Sequence, residues 1–251
     1  MAFAPSFPVR SLDDVRRLEA VPLEEAIGVQ STYELFVASA GAFGDKPALR
    51  FLESADPDDE TIVWTYAELL ANIRGTANML HGLGVGPGDA VSILMPACLE
   101  YHLALWGGEA AGIVNPLNPL LAEDKLVELM LASKTKVLIA WRDETEGNYW
   151  QKALAAAAQV EGLEAVLRVG PRPPGGTLPK DFAKDVFGFQ ELLAAQPDDR
   201  LVSGRRILPG DTAAYFHTGG TTGSPKLAMH THGNQVFTAW ASVKMLGISD
   251  Q

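Results

Sequence analysis

Several things are scarce in this sequence, and each scarcity excludes something. Cys98 is the only cysteine, so no internal disulfide can form, and a reducing compartment, the cytoplasm, is expected. Positive charge is short: 20 Lys and Arg stand against 31 Asp and Glu, a formal net charge of −11. Gripping a nucleic-acid backbone needs a basic face, so that class is excluded, although one local cluster of amides and a lysine can still hold a triphosphate. Long apolar runs are missing. The most apolar stretch, Leu103–Leu117, carries Glu109, Asn115 and Pro116 and is too short to cross a bilayer. Met1–Arg10 has two prolines and no apolar run behind a basic start, unlike a signal peptide. Internal repeats are also lacking.

What remains is a globular composition, 47% apolar, long enough to bury a core in one or two domains. Residues 1–30 read as a leader packed on the surface. From Thr61 short β-rich runs alternate with amphipathic segments, which predicts βαβ units on a parallel sheet. Thr65 and Glu68 form a capping box, and Leu69, Ile73, Ala77 and Leu80 follow at helical spacing until Gly82 or Gly84. Strands are predicted at Ala90–Leu94, Ile113–Val114, Lys136–Ala140, Ala165–Val169 and Asp211–His217. Helices are predicted at Leu99–Ala110, Glu123–Ala132, Trp150–Gln159, Phe189–Ala195 and Val236–Leu246. Gly170–Gly188 is proline- and glycine-rich and reads as an irregular excursion. The expected fold class is α/β: a parallel sheet flanked by helices over residues 31–206, then residues 207–251 as a strand, a loop and a helix beginning a second, similar sheet. Such an unfinished sheet exposes an edge that invites self-association.

The chemistry concentrates in Tyr215–Asn234, YFHTGGTTGSPKLAMHTHGN. Gly219, Gly220 and Gly223 let the backbone approach a ligand closely, and successive amides in such a loop can converge on an anion. Thr218, Thr221, Thr222 and Ser224 add hydroxyl donors, Pro225 stiffens the turn, and Lys226 adds a point charge suited to phosphate. This predicts a phosphate loop. It is not a Walker A loop, because Lys226 follows proline and precedes Leu227, which has no hydroxyl for a metal. Gly82–Gly88 is not a dinucleotide fingerprint either, since it follows a helix and precedes a strand. His217, His230 and His232 have no accompanying cysteine or carboxylate cluster, so no metal site is predicted. His232, near a helix start, can line a ligand cleft. Arg205 and Arg206 read as a solvated linker pair, and Asp56–Glu60 as a solvated turn.

Residues 218–226 resemble the signature loop of the adenylate-forming superfamily, T-[SG]-G-[ST]-T-G-x-P-K-G, followed by an H-x-H-x-N-like segment. The match runs through Thr218, Gly220, Thr221, Thr222, Gly223, Pro225 and Lys226, then His230, His232 and Asn234. Gly219 stands where serine is commoner and Leu227 where glycine is usual. Upstream, Trp64–Leu69, Gly84–Val91 and Leu105–Pro119 resemble the family's fold-marking segments.

The resemblance implies that a carboxylic acid attacks the α-phosphate of Mg2+-bound ATP, and that coenzyme A then displaces AMP from the acyl-adenylate. By position, Thr218, Gly219, Gly220, Thr221, Thr222, Gly223, Ser224 and Lys226 bind the β- and γ-phosphates, and Lys226 and Thr221 stabilise charge growing on the pyrophosphate. Among family members an acyl-CoA synthetase fits best. The adenine pocket, the Mg2+ ligand and most of the acyl pocket lie further along in the family, so the chain is expected to be an N-terminal portion that does not turn over alone. Two alternatives stay open: a non-catalytic nucleotide- or anion-binding module, and an adenylation domain of a peptide synthetase.

Overall fold

The computed structural model describes residues 7–52, 56, 61–142, 148–170, 182–218, 226–246 and 248. Three helices lead in: α1 (Leu12–Glu19), α2 (Leu23–Ile27) and α3 (Thr32–Phe43). Ser11 and Asp14 form a capping box for α1, and the side chain of Ser31 caps α3. A small antiparallel pair follows, β1 (Pro47–Phe51) with β2 (Ile62–Thr65). The last residue of β2 is also the N-cap of α4 (Tyr66–Gly82). The Glu68 amide donates to Thr65 Oγ1 at 3.2 Å, and the Thr65 amide donates to Glu68 Oε2 at 2.8 Å, the predicted box. The Thr65 amide, together with the Thr65 hydroxyl that donates to the same Oε2 at 2.9 Å, holds the Glu68 carboxyl below its ordinary range.

Leu69, Ile73, Ala77 and Leu80 are all buried, as their spacing predicts. The helix stops because Gly84 takes a left-handed conformation at φ 82°. Its amide donates to His81 O, and the Val85 amide joins that of Leu83 on Leu80 O, so carbonyls of the last turn are satisfied. The glycine run after α4 is therefore a helix-ending turn.

The remaining elements are β3 (Ala90–Leu94), α5 (Leu99–Ala111), β4 (Ile113–Pro116), α6 (Glu123–Ala132), β5 (Thr135–Trp141), α7 (Tyr149–Gln159), β6 (Ala165–Val169), β7 (Asp185–Gly188), α8 (Phe189–Leu193), β8 (Thr212–Thr218), β9 (Lys226–Thr231) and α9 (His232–Leu246). Seven strands make one sheet in the order β7-β6-β5-β3-β4-β8-β9, parallel throughout except β9. Alternate residues serve opposite layers. Val137 and Ile139 join a core with α4 and α5, whereas Leu138 and Ala140 join another with α6 and α7. A parallel sheet covered on both faces is the expected architecture.

The structure differs from the sequence reading in several places. The strands β1, β2, β7 and β9 had not been predicted. β7 emerges from the end of the proline-rich excursion; residues 171–181 of that excursion, and residues 57–60 of the acidic turn, lie outside the described residues. α1, α2 and α3 had not been predicted either. Lastly, β8 and β9 do not open a second sheet. Ala213 and Ala214 are fully buried, and Ala214 pairs with Val114, so β8 extends the first sheet at its β4 edge.

Gly112 lies where α5 turns into β4. A Cβ there meets Asp89 O at 2.5 Å and Gly86 O at 2.9 Å, both backbone atoms that cannot step aside. Gly112→Ala is expected to lower unfolding free energy by about 1–3 kcal/mol, the usual range for overpacking. Gly162→Ala meets nothing within 4 Å and is expected to change it little. Urea midpoints of the two variants check this.

Candidate active site

The parallel strands all end on one edge of the sheet, the edge where open α/β sheets bind ligands. β3 delivers Met95 and Pro96 there, and β4 delivers the turn Pro116–Pro119. With Ala97 and Tyr101 these residues line an open cleft of about 480 Å3. β8 ends on the same edge, one strand over, and the predicted phosphate loop leaves from it.

Of the predicted site residues, Gly219, Gly220, Thr221, Thr222, Gly223 and Ser224 lie outside the described residues. Thr218 and Lys226, the first and last, are described and stand side by side. They are partners on the final rung of the antiparallel β8–β9 pair, and Thr218 Oγ1 donates to the Lys226 carbonyl at 3.4 Å. Opposed residues share a face, so both side chains, which are exposed, leave the hairpin on the same side. The Lys226 amine has no carboxylate partner among the described residues. One rung back and on the other face, Leu227 packs against the α6–α7 core.

The three histidines do not converge. His217 Nε2 accepts from the Asn118 amide at 3.3 Å, whereas His230 stacks edge-on against Phe216 at 4.9 Å. His232 is fully buried, so it does not line a cleft. Among the described residues no group of three or more His, Cys, Asp or Glu side chains can hold a metal ion.

Behind the hairpin is a polar cluster that the sequence reading missed. With its carboxyl ionised, Glu109 of α5 accepts from Thr32 Oγ1 at 2.8 Å and from Gln235 Nε2 at 2.8 Å. Thr32 Oγ1 also lies 2.9 Å from His232 Nδ1. Glu109 is 1% exposed, and this burial pushes its pKa up to about 7, against the pull of the two hydrogen bonds. Burial, assisted by the charge of Arg205, pushes His232 down to about 4. The signal was present in the sequence: a lone carboxylate inside the apolar Leu103–Leu117 run must be paired or neutral once buried.

Arg205 corrects another expectation. Its side chain is only 7% exposed, not a solvated linker. Nη1 donates to the carbonyls of Glu109 and Ala110 at 3.3 Å each, closing the C-terminal end of α5, and Nη2 lies 3.6 Å from the Asp211 carboxylate. This buried guanidinium, paired with a half-buried carboxylate, anchors the connector into β8. Arg206 is exposed, as expected.

Comparison with known proteins shows the family and the fold. A family model described as AMP-binding enzyme matches residues 36–249. The marinolic acid–CoA ligase of Pseudoalteromonas sp. (strain SANK 73390) is 30% identical over 242 residues, covering 94% of this chain and 36% of that protein. A crotonobetaine/carnitine–CoA ligase of Salmonella arizonae is 30% identical over 222 residues, 87% of this chain and 40% of that one. This chain thus spans well under half the length of the curated relatives it matches. A solved long-chain-fatty-acid–CoA ligase from Archaeoglobus fulgidus shares the fold, with a TM-score of 0.69 at 21% identity over 87% of this chain and 40% of that one.

The Glu109–His232 cluster generates a pH prediction. Glu109 has a raised pKa, so its contribution to stability is complete below its ordinary 4.5 and is lost as pH rises through about 7. His232 has a depressed one, so its contribution is present above its ordinary 6.5 and lost as pH falls through about 4. Between 4.5 and 6.5 the two slopes oppose each other. In Glu109→Gln the alkaline slope disappears. The wild type should therefore lose stability relative to this variant from pH 4.5 to 7, by on the order of 3 kcal/mol at about 1.4 kcal/mol per pKa unit. Urea unfolding of both proteins across that range measures it.

Proposed function

This chain belongs to the AMP-binding enzyme family, and on that premise we propose that its Thr218–Lys226 segment holds the β- and γ-phosphates of ATP during activation of a carboxylic acid. In the proposed reaction a carboxylate oxygen attacks the α-phosphorus and the bond to the bridging oxygen breaks. An acyl-adenylate forms and pyrophosphate leaves. Coenzyme A then attacks the acyl carbon through its thiol, giving a thioester and releasing AMP. Charge accumulates on the departing pyrophosphate, and donors already aimed there lower the barrier. Lys226 supplies a full positive charge and Thr221, outside the described residues, a hydroxyl; the amides and hydroxyls of Thr218, Gly219, Gly220, Thr222, Gly223 and Ser224 complete the set.

The observation that carries this reading is the pairing of Thr218 with Lys226 on one exposed face at the C-terminal edge of the parallel sheet, the amine free of any carboxylate among the described residues. A lysine already paired with an acidic residue would have little charge left for a phosphate. That both relatives named above are acid–CoA ligases supports a CoA thioester over a peptide-synthetase product.

Cys98, the single cysteine, is free and buried, which supports a reducing, cytoplasmic setting. β9 is the sheet's outer strand and leaves Met229 67% exposed, which supports self-association through that edge.

Titration calorimetry with ATP and with pyrophosphate tests the site. Lys226→Ala is expected to weaken both by about tenfold or more, as for a hydrogen bond to a charged group. If the variant and the parent bind alike, Lys226 is a bystander and the reading fails. The 251 residues alone are expected to bind pyrophosphate without catalysing ATP–pyrophosphate exchange, and robust exchange would overturn that expectation.

A further inference from the structure

His217 and Leu227 oppose each other one rung before Thr218 and Lys226, so their side chains leave the hairpin on its other face. Leu227 packs on the α6–α7 core. His217 is half-buried and reaches the turn that ends β4. In that turn, Pro116 and Pro119 have no amide hydrogen, which leaves only Leu117 and Asn118 with one to place. The Leu117 amide donates to Ile93 O at 2.9 Å. The Asn118 amide donates to His217 Nε2. The turn's shape is fixed from within, because Asn118 Oδ1 accepts from the Leu120 amide at 2.9 Å. Two prolines and this side-chain bond make it stiff. A rigid turn on β4 therefore grips the residue immediately before Thr218.

That grip sets the histidine's tautomer. Nε2 is the acceptor, so in the neutral ring Nδ1 carries the hydrogen. It also divides the hairpin's labour. One face of the last two rungs is tied to the fold by the imidazole and the leucine, and the other is left to Thr218 and Lys226.

We propose that His217 is a positioning residue for the phosphate loop: its Nε2 lone pair, engaged by the Asn118 amide, fixes the point at which residues 218–226 leave β8. The inference rests on the phosphate-holding reading of those residues. His217 need not touch the nucleotide to act. It limits the positions of Thr218, and ligand binding then loses less conformational freedom.

Two substitutions at this half-exposed position separate the acceptor from the ring. His217→Gln can bring Oε1 near the place of Nε2 and keeps an acceptor, whereas His217→Phe keeps a ring without one. Pyrophosphate affinity by calorimetry, the Asn118 amide resonance in a 1H–15N spectrum, and a thermal melt are measured for each. His217→Phe is expected to weaken pyrophosphate binding by about three- to tenfold, the scale of one hydrogen bond, and to move the Asn118 amide upfield. His217→Gln should restore both. Wild-type affinity in a folded Phe variant sinks the inference and leaves the phosphate reading standing. So does equal weakening in both variants, which assigns the imidazole a packing role only. A wild-type chain that does not bind pyrophosphate overturns the parent reading, and this inference with it.

Discussion

Burial of β3 on both faces is the constraint from which the rest of the arrangement follows. Its five residues, Ala90–Leu94, are all buried, with Val91 and Ile93 turned to the α4–α5 core and Leu94 to the α6–α7 core. Each such aliphatic side chain contributes roughly 1.5–3 kcal/mol on leaving water. A strand sandwiched in this way needs neighbours on both sides, and crossover helices deliver β4 and β5 parallel to it. Parallel strands end on one edge. The Met95–Pro96 bend, the Pro116–Pro119 turn and the end of β8 are therefore neighbours because the core put them there.

Polar groups inside this frame are held to strict terms. Ser92, Asn115, Ser133 and Thr135 bond one another across the centre of the sheet at 2.6–3.0 Å. The Glu109–Thr32–His232 cluster meets the same demand by holding its proton differently in the folded and unfolded states. In the unfolded chain near pH 5.5 the imidazole is charged and the carboxyl ionised; in the folded chain the shifts favour both as neutral groups, so folding transfers a proton from one to the other. Two buried charges are avoided, and a short bridge then ties α3, α5 and the start of α9 together. A single buried carboxylate without that exchange would cost several kcal/mol.

Much of this was legible in advance. Ala90–Leu94, Glu123–Ala132 and Ala165–Val169 have the predicted boundaries, because apolar runs between clear breakers leave few alternatives. Thr65, Glu68 and Gly84 act locally, and local chemistry can be read without the fold. The misses have a common cause. Leu227 packs on the α6–α7 core but Met229, on the same face of β9, is 67% exposed, so Lys226–Thr231 shows no sustained alternation, and it becomes a strand only because β8 is there to pair with. Arg205 looks like any linker arginine until α5 presents its terminal carbonyls. Glu109 had a sequence signal, but its partners lie 77 and 126 positions away.

Leu227 shows how a departure from a family pattern can be absorbed. Where the signature usually has glycine, this chain has a side chain that needs somewhere to go. The two-residue period of a strand sends it away from Lys226 and into the α6–α7 core, opposite the face on which Thr218 and Lys226 stand. A glycine there leaves the backbone free to choose its path; a leucine commits it, because apolar burial holds only one register. The same alternation turns His217 toward the β4 turn. The chain thus trades freedom just after the loop for fixed points on the side facing away from the predicted phosphates, and the residues that depart from the pattern or were set aside as metal ligands become its anchors.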